Sequence, residues 1–134
     1  MSLTLSRGAR TVTIADNLPT VIIGERINPT GRRKLQDALL ANDFSIVARE
    51  ARSQTAAGAH MLDVNVGVAG GDEPYLLVEA LKVAMENTDL PLCIDTANPV
   101  ALEAALAIYP GIALVNSVTG EDERLERELP LVAQ

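Results

Sequence analysis

The sequence predicts an α/β fold organised around a parallel sheet, on three observations. Four short runs, residues 21–24, 61–64, 92–94 and 113–115, are apolar at successive positions instead of at every second one. A strand so composed is buried on both faces, the condition of a parallel strand covered by helices. Between the runs lie stretches whose apolar residues recur at the helical spacing i, i+3, i+4 and i+7. Cap and turn residues fall at the joints, so the chain reads as repeated βα units with short connections and right-handed crossovers.

Taken in order, residues 11–14 form a short extra strand or an N-terminal plug. A helix over residues 32–40 carries Leu35, Ala38 and Leu39 on one face. Three longer stripes follow: Phe44, Val47, Ala48 and Ala51; Leu77, Ala80, Leu81 and Ala84; Leu102, Ala105, Leu106 and Tyr109. Asn98-Pro99 is a helix start, with Asn as cap and Pro at the first helical position, and Asp72-Glu73-Pro74 reads the same way. Gly58 and Gly111 stand where a left-handed residue closes a helix. Residues 122–128 read as one more helix. Four such units do not close an eight-stranded barrel, which takes ~250 residues. On pattern and length alone, an open doubly wound sheet of four or five strands fits the 134 residues best.

Composition narrows the function. Phe and Tyr number three and Trp is absent, so the core is built from Leu, Val, Ile and Ala. The formal charge of −7 argues against nucleic acid, whose phosphates demand a basic surface. The basic cluster Arg32-Arg33-Lys34 reads as a solvated helix face. A lone cysteine, Cys93, permits no internal disulfide. The first ten residues lack the apolar core of a secretory signal, and no run reaches the ~18 residues of a membrane helix. The expectation is one cytoplasmic domain over residues 1–134, without a membrane partner.

The chemistry sits where strands end. The first run leads into Glu25-Arg26-Ile27-Asn28, the second into Asp63-Val64-Asn65, the third into Asp95-Thr96 and the fourth into Asn116-Ser117. In parallel α/β proteins those ends share one edge, and that edge holds the ligand. Glu25, Asn28, Asp63, Asn65, Asp95 and Asn116 are therefore delivered to one region. Carboxylates accept hydrogen bonds and carboxamides both accept and donate, which suits a neutral, nitrogen-rich heterocycle carrying N–H donors and a carbonyl. A phosphate would call for cations or a glycine-framed helix start, and Gly70-Gly71, with no Lys-Ser or Lys-Thr after it, reads as a plain turn. His60 precedes the second strand, away from that edge, and reads as structural; Cys93 reads as a small buried apolar side chain. No His or Cys cluster has metal-ligand spacing; carboxylates alone leave a Mg²⁺ site open but unsupported, and no metal is expected.

The same residues resemble a known family. Gly24-Glu25-Arg26-Ile27-Asn28, Leu62-Asp63-Val64-Asn65-Val66-Gly67, Cys93-Ile94-Asp95-Thr96 and Val115-Asn116-Ser117 follow one another as in the pterin-binding proteins. They resemble above all the methyltetrahydrofolate:corrinoid methyltransferases and the folate domain of cobalamin-dependent methionine synthase. The match covers residues 21–120. The resemblance implies the N-terminal half of a TIM-type (β/α)8 barrel, about four βα units, with the pterin in an acidic crater. It implies that Asp95 and Asn116 hydrogen-bond the pterin and that Asp63, Asn65, Glu25 and Asn28 line or support the crater. Asn116 is the residue placed nearest the chemistry, the transfer of the N5 methyl group of methyltetrahydrofolate to a cob(I)amide on a corrinoid partner. Thr96 stands where relatives commonly carry Ser. A further Asp and Asn come from later strands in that family, so the expectation is a fragment of a longer barrel or a half-barrel that forms a homo-oligomer. Two other readings stay open. One is dihydropteroate synthase, from whose loops Asn28-Pro29-Thr30-Gly31 and Asn65-Val66-Gly67 depart; the other is a non-catalytic half-barrel association module.

Overall fold

The computed structural model describes residues 2–8, 10–15 and 20–116. It opens with an antiparallel hairpin, β1 (Ser2–Arg7) and β2 (Arg10–Ala15). Then come β3 (Ile23–Ile27), α1 (Arg33–Leu40), α2 (Ser45–Ala56), β4 (Met61–Val64), α3 (Glu73–Asn87), β5 (Leu92–Asp95), α4 (Pro99–Ile108) and β6 (Leu114–Asn116). The last four strands form a parallel sheet in the order β3-β4-β5-β6. That order runs with the sequence and never reverses. A doubly wound sheet reverses at a switch point, so the length-based expectation of one is corrected here.

One face of the sheet carries the core. Leu62, Val64, Leu92 and Ile94 point to it and pack with Leu35, Leu39, Val47, Ala51, Leu77, Ala80, Leu81, Ala84, Leu102 and Ala105 from all four helices. Helices on one side and strands in chain order are the winding of a β/α barrel wall. The alternate positions Met61, Asp63 and Cys93 are also buried, yet stand outside this cluster. They belong to the opposite face, the inner face of the wall.

The predicted strands over β4 and β5 hold, β5 gaining Asp95. The first strand lies further along than residues 21–24, because after the irregularity at Glu25 and Arg26 the chain pairs again at Ile27 with Val64. Ile22 is more than half exposed, and its backbone meets His60 instead: its N–H donates to His60 Nδ1 at 2.8 Å, and its carbonyl accepts from His60 N–H at 2.8 Å. His60 is thus structural, as its place before the strand implied. Asp72 and Asn98 cap α3 and α4 through their side chains, with Pro in each first turn. Gly71 N–H donates to Val68 O in a plain turn. Phe44 and Tyr109 sit just outside their helices, at the N-cap of α2 and the C-cap of α4. The Tyr109 hydroxyl accepts from Leu92 N–H at 2.9 Å, tying α4 to the start of β5. The helix expected over residues 122–128 lies outside the described residues.

The hairpin realises the N-terminal plug, although only its second strand was legible. Ser6 N–H donates to Ile112 O at 2.9 Å, Gly8 N–H to Pro110 O at 3.1 Å, and Ile112 N–H to Ser6 Oγ at 3.1 Å. Arg7 donates through Nη2 to Thr88 O and, at 3.5 Å, to Met85 O, where the last carbonyls of α3 lack helical partners. Leu5 is buried at 1% exposure. Gly111 serves this docking: a Cβ there would stand 2.2 Å from Ser6 O. Its role is close approach of two backbones, not the helix closure expected; Gly58, at φ +99°, does close α2.

Candidate functional site

Glu25, Asp63 and Asp95 converge on the inner face at the C-terminal edge of the sheet. Register explains why. Asp63 pairs with Cys93 and Asp95 with Asn116, so successive strands step the acids along one edge. In β3 the pairing runs Ile23 with Met61, Gly24 with Leu62, then Ile27 with Val64, so three residues oppose two. This bulge returns Ile27 to the helix side, where it is buried in the core, and leaves Glu25 with Ile23 on the inner face. A cavity of about 250 Å³ opens there, lined by Ile23, Glu25, Asp63, Cys93, Leu114 and Val115. A larger cavity, about 530 Å³ between Arg7, Arg10, Met85 and Asp89, lies under the hairpin at the other end of the strands, away from these acids.

The electrostatics are set by burial. Asp63 is 2% exposed and hydrogen-bonded to Asp95, itself 9% exposed. Burial first, then the hydrogen bond to Asp95 and the charges of Asp95 and Glu25, push the Asp63 carboxyl up to about 7. Two carboxyls in contact away from water hold one proton between them near neutrality. Cys93 beside them is pushed up by burial and by the field of Asp63, so it stays a thiol. Among the described residues no group of three or more His, Cys, Asp or Glu side chains is arranged to hold a metal ion.

The remaining predicted residues divide. Asn116 is aligned with Asp95 on the edge strand by register. Asn28 and Asn65 reach the same end of the sheet, and Asn65 N–H donates to Ile27 O at 2.9 Å. Their side-chain oxygens, however, close local turns: Asn28 Oδ1 accepts from Thr30 N–H at 2.9 Å and Asn65 Oδ1 from Gly67 N–H at 2.8 Å. They shape the loops above the cavity and do not line it.

The Gly24-Glu25-Arg26 segment has its own anchor. Gln54 Oε1 accepts from Arg26 N–H at 3.2 Å, and Glu50, buried at 7% exposure, takes Arg26 Nε at 3.1 Å and Arg32 Nη2 at 3.5 Å. Arg32 therefore belongs to this cluster and not to a solvated face; Arg33 and Lys34 alone of the three are exposed. A side chain at Gly24 would collide with Gln54, its Cβ 2.2 Å from Oε1. Gly24→Ala should therefore displace Gln54, orphan Arg26 N–H and cost about 1–3 kcal/mol, to be read by urea denaturation. Sequence reasoning missed Glu50 and Gln54, spaced i, i+4 on α2 and facing β3; a buried-side Glu among apolar stripe residues was the available signal.

A wall of parallel strands wound with all its helices on one side defines part of a β/α-barrel protein, and its acids gather at the C-terminal edge, where barrels of this class hold their ligands. The chain matches the family model "Pterin binding enzyme" over residues 24–134, and it belongs to that family. It is 29% identical over 128 residues to a methionine synthase of Mycobacterium tuberculosis, covering 92% of this chain and 11% of that protein. It is 33% identical over 118 residues to the methylcorrinoid:tetrahydrofolate methyltransferase of Eubacterium limosum, covering 83% of this chain and 41% of that protein. The chain thus spans less than half the length of these relatives. Among solved structures, the dihydropteroate synthases of Burkholderia cenocepacia and Xanthomonas albilineans share the fold, each at TM-score 0.58 with 20% and 21% identity. They cover 95% and 98% of this chain, which spans 39% and 47% of theirs.

Proposed function

We propose that this chain forms the pterin-binding wall of a folate-dependent, corrinoid-linked methyltransferase. It binds methyltetrahydrofolate and, within a complete barrel, serves transfer of the N5 methyl group to a cob(I)amide on a corrinoid protein. The observation that carries this reading is the buried pair of contacting carboxyls, Asp63 and Asp95, on the inner face beside a cavity of about 250 Å³; burial and that contact favour keeping one proton on the pair. The pyrimidine end of a reduced pterin carries N–H donors next to a carbonyl acceptor. A carboxylate accepts from the former and a neutral carboxyl donates to the latter, so a half-protonated pair answers both.

In this reading Asp95 and Asn116 hydrogen-bond the ring, and Asp63, with Glu25, sets the proton count of the crater. Asn28 and Asn65 shape its rim. A tertiary amine leaves only once it carries positive character, and the Asn116 carboxamide, able to donate and accept, stabilises N5 as that character develops. The cobalt of the corrinoid, carried on a partner protein or domain, supplies the centre that takes the methyl group. The name of the Eubacterium relative describes transfer from a methylcorrinoid to tetrahydrofolate; the same wall would serve either direction, since both pass through one transition state.

Calorimetric titration with methyltetrahydrofolate tests this. Saturable binding is expected, and Asp95→Ala should weaken it by about 1–3 kcal/mol, the cost of leaving a ligand donor unsatisfied. A folded chain that binds no pterin, or whose affinity ignores Asp95→Ala, refutes the assignment and leaves an association module.

A further inference from the structure

The end of β5 is held by a side chain that lies outside the acidic group described above. Thr96, at 3% exposure, follows Asp95 directly. Its hydroxyl donates to Glu73 Oε2, while the same oxygen accepts from Asn98 N–H at 3.0 Å. Glu73 is the first residue of α3 and half-buried. Its other oxygen lies 3.9 Å from where a Gly67 Cβ would stand, and Asn65 Oδ1 lies 3.3 Å from that point. Glu73 is thus at the junction of the loop after β4 and the turn after β5, the two segments that continue the strands carrying Asp63 and Asp95.

The hydroxyl spends its one proton on Glu73, accepts one bond from Asn98, and is closed off from water. Such a group fixes a backbone torsion because rotating away would strand a carboxylate and an amide together. We propose that Glu73, through Thr96, is a positioning residue for the pterin site: it clamps the turn after β5 so that the Asp95 carboxylate meets Asp63 and, on the methyltransferase reading above, the ligand. Glu73 does not touch the ligand. Thr96→Val leaves the Glu73 charge in place, so a shift of the pair in that variant reports the turn and not the Glu73 field.

The test uses Thr96→Val, which keeps the shape and removes the hydroxyl, and Glu73→Ala, with Thr96→Ser and Glu73→Gln as rescues. Two quantities are read on each folded protein: methyltetrahydrofolate affinity, and the midpoint of the Asp63–Asp95 pair followed by carboxyl carbon NMR. Thr96→Val and Glu73→Ala are each expected to weaken binding by about threefold to tenfold and to move the midpoint by roughly half a unit or more. The rescues should restore both, and the double variant should add little to either single one. Wild-type affinity and midpoint in both single variants overturn the proposal. Should the wild-type chain bind no pterin, the midpoint still decides: a shift supports the clamp while the methyltransferase reading falls. If Thr96→Val does not fold, Glu73→Ala, at a half-buried position, carries the test.

Discussion

Asp63→Asn is expected to make the protein more stable at pH 8, by an amount on the order of a few kcal/mol. Folded Asp63 keeps its proton until about pH 7, whereas in the unfolded chain the group releases it near the ordinary 3.8. Between those values the folded state binds more protons than the unfolded one, so stability falls as pH rises through that window and is level above it. Each unit of displacement is worth about 1.4 kcal/mol. Asparagine carries no charge to desolvate and still offers Asp95 an N–H donor, so the penalty disappears and the contact remains. Urea denaturation from pH 4 to pH 8 should show a decline for the natural chain and a flatter line for the variant. A variant no more stable at pH 8 would mean that Asp63 ionises freely, and the shared-proton account would fail. The cost of Asp63 at neutral pH is what a site prepared for a ligand looks like: stability given up where the bound molecule restores it.

Gly111→Ala is expected to undock the hairpin. The new Cβ would lie 2.2 Å from Ser6 O, 2.8 Å from its carbonyl carbon and 3.1 Å from Arg7 Cα. All three are backbone atoms, so no side chain can rotate to make room. Separation forfeits the hydrogen bonds joining Ser6 and Gly8 to residues 110–112 and exposes Leu5. At about 0.5–1.5 kcal/mol for each of the three bonds and about 1.5–3 kcal/mol for the leucine, the loss is roughly 3–7 kcal/mol. Amide exchange should accelerate across β1 and β2 while β4 and β5 stay protected. Uniform acceleration would mean instead that the hairpin and sheet unfold as one unit.

How much of this was legible beforehand depends on which signal each residue sends. The strands β4 and β5 were readable because both faces are buried, one by helices and the other by the inner face, so every position is apolar or an informative exception. Asp63 and Asp95 were those exceptions, and their convergence followed from the shared edge of parallel strands. β3 was misjudged because its apolar run ends before the strand does, and no spacing rule announces a bulge. β1 is hidden because Ser2–Arg7 alternates polar and apolar residues and lacks the continuous apolar run that marks the buried strands. Arg32 reads as solvent-facing in the sequence because a run of like charges looks the same whether or not a buried Glu50 waits 18 residues later. Asn28 and Asn65 were placed at the correct end of the sheet, yet whether a carboxamide closes a turn or meets a ligand depends on a torsion angle, which sequence does not carry.

The extra residue between Gly24 and Ile27 has a consequence for how this segment can change. Within a regular strand, neighbouring side chains face opposite ways, and removing one residue reverses every orientation beyond the cut. Here the irregularity already supplies one reversal. Deleting either Glu25 or Arg26 would bring the count into step with β4 and still seat Ile27 against the helices, so the protein would fold. It would, however, leave a single position to do two jobs, reaching Glu50 behind the sheet and bringing negative charge to Asp63 in front of it. Segment length, and not residue identity alone, is therefore what lets one strand serve its anchor and its site together, and a shortened variant would betray itself by intact folding with an altered proton count in the crater.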